Sequence, residues 1–421
     1  MGGEREYKSI EECVEEIIDY RGKTPKKSEN GIPLITAKII KNGRIDTPKE
    51  FIPVDQYESW MRRGIPKSGD VLITTEAPLG EIAQLDNANI ALAQRVIVLR
   101  GKSNLLDNTY LRYVLKSPSV MDEILSKATG TTVLGIKQSE LKKVKIPLPS
   151  LSEQKLIGKM LFDLDERVDL NLKINNTLEE IARAIFKHWF VDFEFPNEND
   201  EPYKSSGGEM IDSPLGPIPK GWSTSKFSDA ISVNPSRNLK KGVRAKKVRM
   251  TDVEPWKSYV SSYTEEIYKS GPKFQNGDVL LARITPSLEN GKTSLVSFLE
   301  DGEVAYGSTE FIVFAPRIIK SSAYIYCLVR SDYFRDYAIG SMNGSSGRQR
   351  VPNDCLDALE IALPTRNLIN EFEEIAKTLF SKIDCRGKEN QSLSELRDSL
   401  LPKLMSGEIR VPVSEKEDDQ L

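Results

Sequence analysis

The sequence predicts an α+β chain made by duplication. Two globular α/β-mixed bodies are joined by two long antiparallel coiled-coil helices, in a pseudo-twofold order of body, helix, body, helix. Three observations carry this. The segment from Leu148 to Phe190 recurs in weaker form from Leu363 to Met405 at a constant offset of 215, so Pro149 matches Pro364, Asn175 matches Asn390 and Leu178 matches Leu393. GDVLI at 69–73 returns as GDVLL at 277–281, and Gly130 in ATGTT corresponds to Gly344 in MNGSS. Strand-like and helix-like runs are mixed without the regular alternation of a doubly wound parallel sheet.

The first body covers residues 1–150. VLITT (71–75) and RVIVLR (95–100) are β-branched runs bounded by Gly, Asp or Pro and read as strands, and LRYVLKS (111–117) reads as a helix. A central helix follows at 151–194. Ile157, Leu161, Leu164, Val168, Asn171, Asn175, Leu178, Ala182, Ile185 and Trp189 alternate at spacings of four and three, the a/d seam of a coiled coil. Ser150 with Glu153 is a candidate capping box at its start. Residues 195–215 form a linker, and its Pro-, Gly-, Ser- and acid-rich composition continues to Trp222.

The second body covers 216–365, with strands at VLLARI (279–284) and EFIVFA (310–315) and a helix at AYIYCLVRS (323–331). The C-terminal helix spans 366–410. Its seam is Phe372, Ala376, Leu379, Ile383, Arg386, Asn390, Leu393, Arg397, Leu400 and Leu404, with Gly407 as a stop. Each helix runs about 57 Å at the usual rise per residue. Antiparallel pairing brings Asn171, Asn175, Arg386 and Asn390 together as a register-setting polar layer, so Asn175→Leu with Asn390→Leu is expected to raise thermal stability. The acidic tail at 411–421 is expected to be disordered.

Composition excludes several classes. The 421 residues are 39% hydrophobic and 29% charged, an ordinary globular balance. No stretch approaches the ~18 apolar residues of a membrane span, and MGGEREYKSIEE has no apolar leader segment. Cys13, Cys327, Cys355 and Cys385 fit no metal or disulfide spacing, so a cytoplasmic chain with reduced thiols and no metal is expected. The net charge of −3 hides a pattern. Residues 1–150 hold 23 Lys and Arg against 20 acids, residues 213–365 hold 20 against 16, and the rest hold 16 against 26. Two mildly basic bodies therefore alternate with acidic connectors.

Catalytic motifs fail. GKT at 22–24 and 291–293 lacks the first P-loop glycine, because Ile17 and Pro286 stand there. His188 is the sole histidine, and Asp192 and Glu194 fall at a helix-to-linker junction. The polar features suit nucleic acid instead. NPSRNLKKGVRAKKVRM (234–250) carries Arg237, Lys240, Lys241, Arg244, Lys246 and Lys247 without an acid, a composition that neutralises phosphates. The turns ATGTTVLGIKQ (128–138) and MNGSSGRQR (342–350) combine small residues with donors, and the loops after each GDVL occupy matched places. In the first body the candidate DNA contacts are Lys23, Lys26, Lys27, Lys38, Lys41, Thr74, Thr75, Arg95, Thr131, Thr132, Lys137 and Gln138. In the second they are the basic run with Arg283, Thr285, Asn290, Lys292, Ser345, Ser346, Arg348, Gln349 and Arg350.

With these motifs in order, the chain resembles the specificity subunits of Type I restriction-modification enzymes over nearly its whole length. GDVLITTEAPLG, LAQRVIVLR, GIKQSELKKVKIPLPSLSEQ and FKHWFVDFEFP carry the resemblance in the first half. DSPLGPIPKGW, GDVLLARITPSLENGKTSLV, GSTEFIVF, GSSGRQRV and LPKLMSGEI carry it in the second. IPKGW precedes only the second body, a departure from strict repetition. The resemblance implies that each body is a target-recognition domain reading half of a bipartite, asymmetric double-stranded DNA site, and that the helices set the half-site spacing. It implies a non-catalytic subunit with no cofactor of its own and no membrane contact. Two modification subunits using S-adenosylmethionine would dock on the helices, and restriction subunits using ATP and Mg would join them. The recognition partner of a methylation-only or fused methyltransferase-nuclease system is the alternative.

Overall fold

The computed structural model describes residues 5–20, 24–345 and 347–412. Lys23, Ser346 and most of the acidic tail, 413–421, lie outside the described residues. The chain divides into two compact units, Met1–Val168 with Ser392–Leu421, and Asp169–Gln391.

In the first unit the relevant strands are β1 (Val14–Asp19), β2 (Ile32–Ile35), β3 (Phe51–Ile52), β4 (Val71–Thr75), β5 (Leu79–Gln84), β6 (Ala91–Leu92) and β7 (Val96–Gly101). The main sheet runs β1-β7-β4-β5, all antiparallel, with Val98 opposite both Ile18 and Leu72. A second sheet runs β3-β2-β6. Successive residues of β4 point to opposite faces and all are buried. Val71 and Ile73 pack with Tyr110, Leu111 and Val114 of helix α1 (Asn108–Lys116), while Leu72 packs with Leu34 and Ile35 of β2. Both faces being covered, VLITT reads as a continuous apolar run rather than an alternating one. Asp107 caps α1 by accepting from Tyr110 N at 2.8 Å. The long helix α2 (Leu151–Phe190) follows.

The second unit repeats this frame. Its relevant strands are β8 (Ile231–Val233), β9 (Arg244–Val248), β10 (Thr264–Ile267), β11 (Lys273–Phe274), β12 (Val279–Ala282), β13 (Thr293–Leu295), β14 (Ala305–Gly307) and β15 (Phe311–Pro316). The main sheet is β8-β15-β12-β13, the same order as in the first unit, and the covering sheet is β10-β9-β14-β11. Val279 and Leu281 face helix α3 (Ser322–Arg330), and Leu280 and Ala282 face Val248 and Phe274. Ser321 caps α3 as Asp107 caps α1, accepting from Tyr324 N at 2.9 Å. Residues 195–222, linker-like in composition, are pinned by aromatic rings: Phe195 stacks on Tyr203 at 4.6 Å and on Trp222 at 5.7 Å.

The last helix, α4 (Arg366–Ser406), ends at Gly407, whose φ is +81°. In each unit α2 and α4 pack antiparallel. Ile157 and Leu161 share a core with Leu401, Leu404 and Met405, and Phe186 and Phe190 share one with Phe372. The proposed capping box forms in one direction only: Glu153 N donates to Ser150 Oγ at 3.2 Å, while the Glu153 carboxylate pairs with Arg5 at 2.7 Å.

The buried stripe departs from the heptad reading. Leu164, Leu178 and Ile185 are half-buried, and their neighbours Asp165, Glu179 and Phe186 are buried instead. An α-helix drifts from a strict seven-residue repeat because its turn is 3.6 residues, and buried cation partners draw the two acids inward. On α4, Phe372, Ala376, Ile383, Asn390 and Leu404 are buried, and Leu379, Arg386, Leu393, Arg397 and Leu400 half-buried.

The polar layer also differs from expectation. Asn171 Nδ2 donates to Asn390 Oδ1 at 2.9 Å and to Glu389 at 2.9 Å. Asn175 meets not Asn390 but the Ile383 carbonyl, at 3.2 Å, and its Oδ1 has no partner. Arg386 stays on its own helix, donating to Lys382 O. Asn171→Leu is therefore expected to lower stability by about 1–3 kcal/mol, because it strips a buried amide of its partner, whereas Asn175→Leu removes an unsatisfied acceptor and is expected to be neutral or stabilising; thermal unfolding of the two single variants checks the order. A second expectation concerns Lys116, half-buried at the end of α1. Burial, with Arg112 and Arg397 nearby, pulls its pKa down to about 8 despite Asp165. From there up to the ordinary lysine value, the unfolded chain binds a proton that the folded chain has lost, so stability rises with pH across that window. Lys116→Met is expected to remove this rise and to raise the Tm at pH 7; parallel pH profiles for variant and wild type would refute it.

Candidate nucleic-acid interface

With both faces of the main sheet covered, its strand ends and their loops are what that sheet leaves open to a ligand. In the first unit three loops meet at one corner. Thr75 N donates to Arg95 O at 2.8 Å, and Ile136 N donates to Thr75 O at 3.0 Å. Thr129 and Gly135 exchange backbone hydrogen bonds at 2.8 and 2.9 Å, closing a hairpin whose tip is Gly130–Leu134. Gly130 has φ +123°, and a Cβ there would lie 2.1 Å from Val133 O, so the tip requires glycine. The tip exposes Thr131, Thr132, Val133 and Leu134.

A cavity of about 440 Å³ opens between these loops, lined by Thr75, Glu76, Gln94, Arg95, Val133 and Lys137. A second, of about 180 Å³, shares Gln94 and Arg95 and adds Lys27, Thr36, Lys38 and Glu50. Arg95 has φ +70° and a half-exposed side chain 3.5 Å from Glu76. Lys27, Lys38, Thr75, Arg95, Thr131, Thr132 and Lys137 are thus brought together, whereas others are not. Thr74 is fully buried and accepts from Glu81 N at 2.9 Å, so its hydroxyl serves the sheet and not a ligand. Lys41 sits on a separate hairpin beside Asp46, 3.9 Å away. Gln138 opens a short helix and is half-buried, and Lys26 is exposed.

The second unit builds the same corner. Arg283 N donates to Glu310 O at 2.9 Å, Thr285 N to Gln349 O at 3.0 Å, and Asn343 and Arg350 exchange bonds at 3.0 and 2.9 Å. Gly344, at φ +130°, occupies the place of Gly130. The chemistry differs. The residue matching Arg95 at the offset of 215 is Glu310, and Arg350 holds it with two nitrogens at 2.7 and 2.9 Å. Those bonds keep the Glu310 carboxyl below the usual carboxylate range. Arg350 is therefore a paired residue rather than a free probe. Arg348, Ser345 and Asn290 are exposed, and Gln349 is half-buried.

Three further candidates turn inward. Arg283 donates to Val351 O and to Asn353 at 3.1 Å, Thr285 Oγ1 donates to Glu289 at 3.1 Å, and Lys292 Nζ donates to Met250 O at 2.7 Å.

In the fold the basic run lies among acids. Arg237 pairs with buried Asp278 at 2.7 Å. Strand β10 brings Glu265 to Arg244 at 3.1 Å and Glu266 to Lys247 at 2.8 Å, and Glu303 takes Lys246 at 2.9 Å. The run is acid-free only in sequence; antiparallel pairing supplies the acids. Lys240 and Lys241 stay exposed without an ion pair among the described residues. Sequence reasoning missed Glu76, Gln94, Val133, Leu134 and Glu310. The signal for Gln94 and Glu310 was the repeat itself, which aligns Gln94-Arg95 with Thr309-Glu310 just before matched strands.

Among the described residues no His, Cys, Asp and Glu group is arranged to hold a metal, and no helix is long and apolar enough to cross a membrane. Asp192 pairs with Lys187 at 2.7 Å and Glu194 accepts from Ser205 N at 3.0 Å, so both acids are engaged in shaping the end of α2.

Two polar, loop-built corners thus stand on a repeated frame. Comparison with known proteins narrows this. Residues 7–180 match the Type I restriction modification DNA specificity domain. The chain is 26% identical over 394 residues to the specificity subunit of the type I restriction enzyme MjaIX of Methanocaldococcus jannaschii, covering 90% of this chain and 87% of that one. It is 21% identical to the HindI specificity subunit of Haemophilus influenzae, covering 82% and 87%. The fold is that of the crystal structure of the S subunit of a Type I restriction-modification system from M. genitalium, with a TM-score of 0.57 at 15% identity over 98% of both chains. Over most of its length the chain is thus similar to the specificity subunits of Type I restriction-modification systems.

Arg95→Ala is expected to weaken DNA binding by about 1–3 kcal/mol and to relax preference at one position of one half-site. Arg350→Ala frees the Glu310 charge and is expected to weaken binding to all sequences alike. Competition binding of the assembled complex against single-base variants of its site distinguishes the two patterns.

Proposed function

We propose that this chain, as the specificity subunit of a Type I restriction-modification complex, reads one half of a bipartite double-stranded DNA site with each of its two corners. The observation that carries the reading is the pair of loop corners built on one frame but lined with different side chains. A duplicated frame supplies two reading heads, and different linings give the two halves of the site different sequences. The exposed donors suit both kinds of DNA contact. Backbone amides and hydroxyls at the Gly130 and Gly344 tips match phosphates, and Arg95 and Arg348 match guanine edges.

In this reading the two bodies are target-recognition domains related by a pseudo-twofold duplication, one for each half of a coiled-coil spacer formed by α2 and α4. A helix of 40 residues spans about 60 Å, ample to hold heads over half-sites about 34–36 Å apart, one turn of DNA. The same helices offer docking surfaces to two modification subunits, with restriction subunits joining the assembly in the cytoplasm. The chain catalyses nothing itself. S-adenosylmethionine, ATP and Mg act on the partner subunits, and the residues of this chain bind and orient DNA.

Sequencing the methylome of a host that expresses the chain with its modification subunit tests the reading. A single bipartite motif with methyladenine in each half, lost on deleting this chain alone, is the expected result. Absence of such a motif while the partner is active would overturn it. The spacer has its own test. Four residues inserted in α2 between Asn171 and Asn175, matched by four in α4 between Ile383 and Asn390, add one turn to both helices. The unread gap is expected to lengthen, and an unaltered gap would refute the ruler.

A further inference from the structure

In each body a buried carboxylate of α2 meets the helix that covers the main sheet. In the first unit Asp165 accepts from Tyr113 Oη at 2.8 Å and Arg112 Nη2 at 3.0 Å, both on α1, and from Arg397 Nη1 on α4 at 2.6 Å. In the second, Glu179 accepts from Tyr326 Oη at 2.6 Å and Arg330 Nη2 at 3.1 Å, both on α3. Arg330 is itself fixed, donating to Gly291 O at 2.9 Å with its guanidinium 4.6 Å from the Trp256 ring.

The two sites share a plan without sharing residues. A phenol and a guanidinium from the helix that covers the main sheet converge on an acid of the long helix. The helix pair does not need these acids to adhere. Apolar side chains would fill the stripe at lower desolvation cost, and a buried ion pair is weak evidence for stability. Charge-assisted hydrogen bonds add direction, because they are satisfied in one rotation and one translation of the body along the helix. Apolar packing tolerates small slides.

We propose that Asp165 and Glu179 are positioning residues for sequence reading: each fixes the setting of its own body on α2, and with it the phase in which that body's corner meets DNA. This rests on the reading that the corners contact the two half-sites. Loosening either anchor leaves the half-site sequences unchanged and relaxes the gap between them.

The test is methylome sequencing of hosts that carry the modification subunit with the wild-type chain, Asp165→Asn or Glu179→Gln, alongside thermal unfolding of each purified complex. Both variants keep the shape but lose the charge and one of the two acceptor oxygens. Methylation at gaps one base pair longer or shorter is expected to rise about tenfold over wild type, the scale of one lost charge-assisted bond, with unchanged half-sites. Tyr113→Phe and Tyr326→Phe keep the core volume, remove one bond each, and are expected to relax the gap in the same way but less. Lower stability with a gap as strict as wild type in all four variants would overturn the proposal and leave the anchors merely structural. A wild-type chain that directs no bipartite methylation would instead bring down the functional reading beneath it.

Discussion

Covering both faces of a four-stranded sheet decides most of what this molecule can do. Each main sheet has a helix on one side and a second, smaller sheet on the other, and its central strands are buried throughout. Neither face of the main sheet is left for a ligand, so what that sheet can present lies at its strand ends. There the backbone is already organised: Thr75 with Arg95 and Ile136 in one unit, Arg283 with Glu310 and Val351 in the other. The frame is rigid because it is core, and its rim can vary because the core does not depend on it.

The same division explains what could be read from the sequence. The strands VLITT and VLLA and the two long helices are legible because burial on both faces, or along a stripe, imposes apolar periodicity. The repeat is legible because the two frames share a core, and it aligns Arg95 with Glu310 even though the residues differ. Partners far apart in the chain leave no such trace. The acids that neutralise Arg244, Lys246 and Lys247 arrive from Glu265, Glu266 and Glu303, and a linear reading sees a bare basic run.

A search for apolar seams likewise passes over Asp165 and Glu179, whose burial is intelligible only beside Arg112 and Arg330. Residues 195–222 read as a linker by composition, but Phe195, Tyr203 and Trp222 stack, and three rings outweigh many prolines and glycines. Sequence thus locates elements well and assigns polar side chains poorly, since a charge is defined by what lies opposite it.

At one register position the first corner presents Arg95 and the second presents Glu310. Two identical heads on a symmetric support would see the same word from either end and could not tell one strand from the other. Different side chains at equivalent places, Arg95 beside Glu76 and Glu310 held by Arg350, remove that ambiguity. On the proposed reading, unlike corners give the bound DNA an orientation.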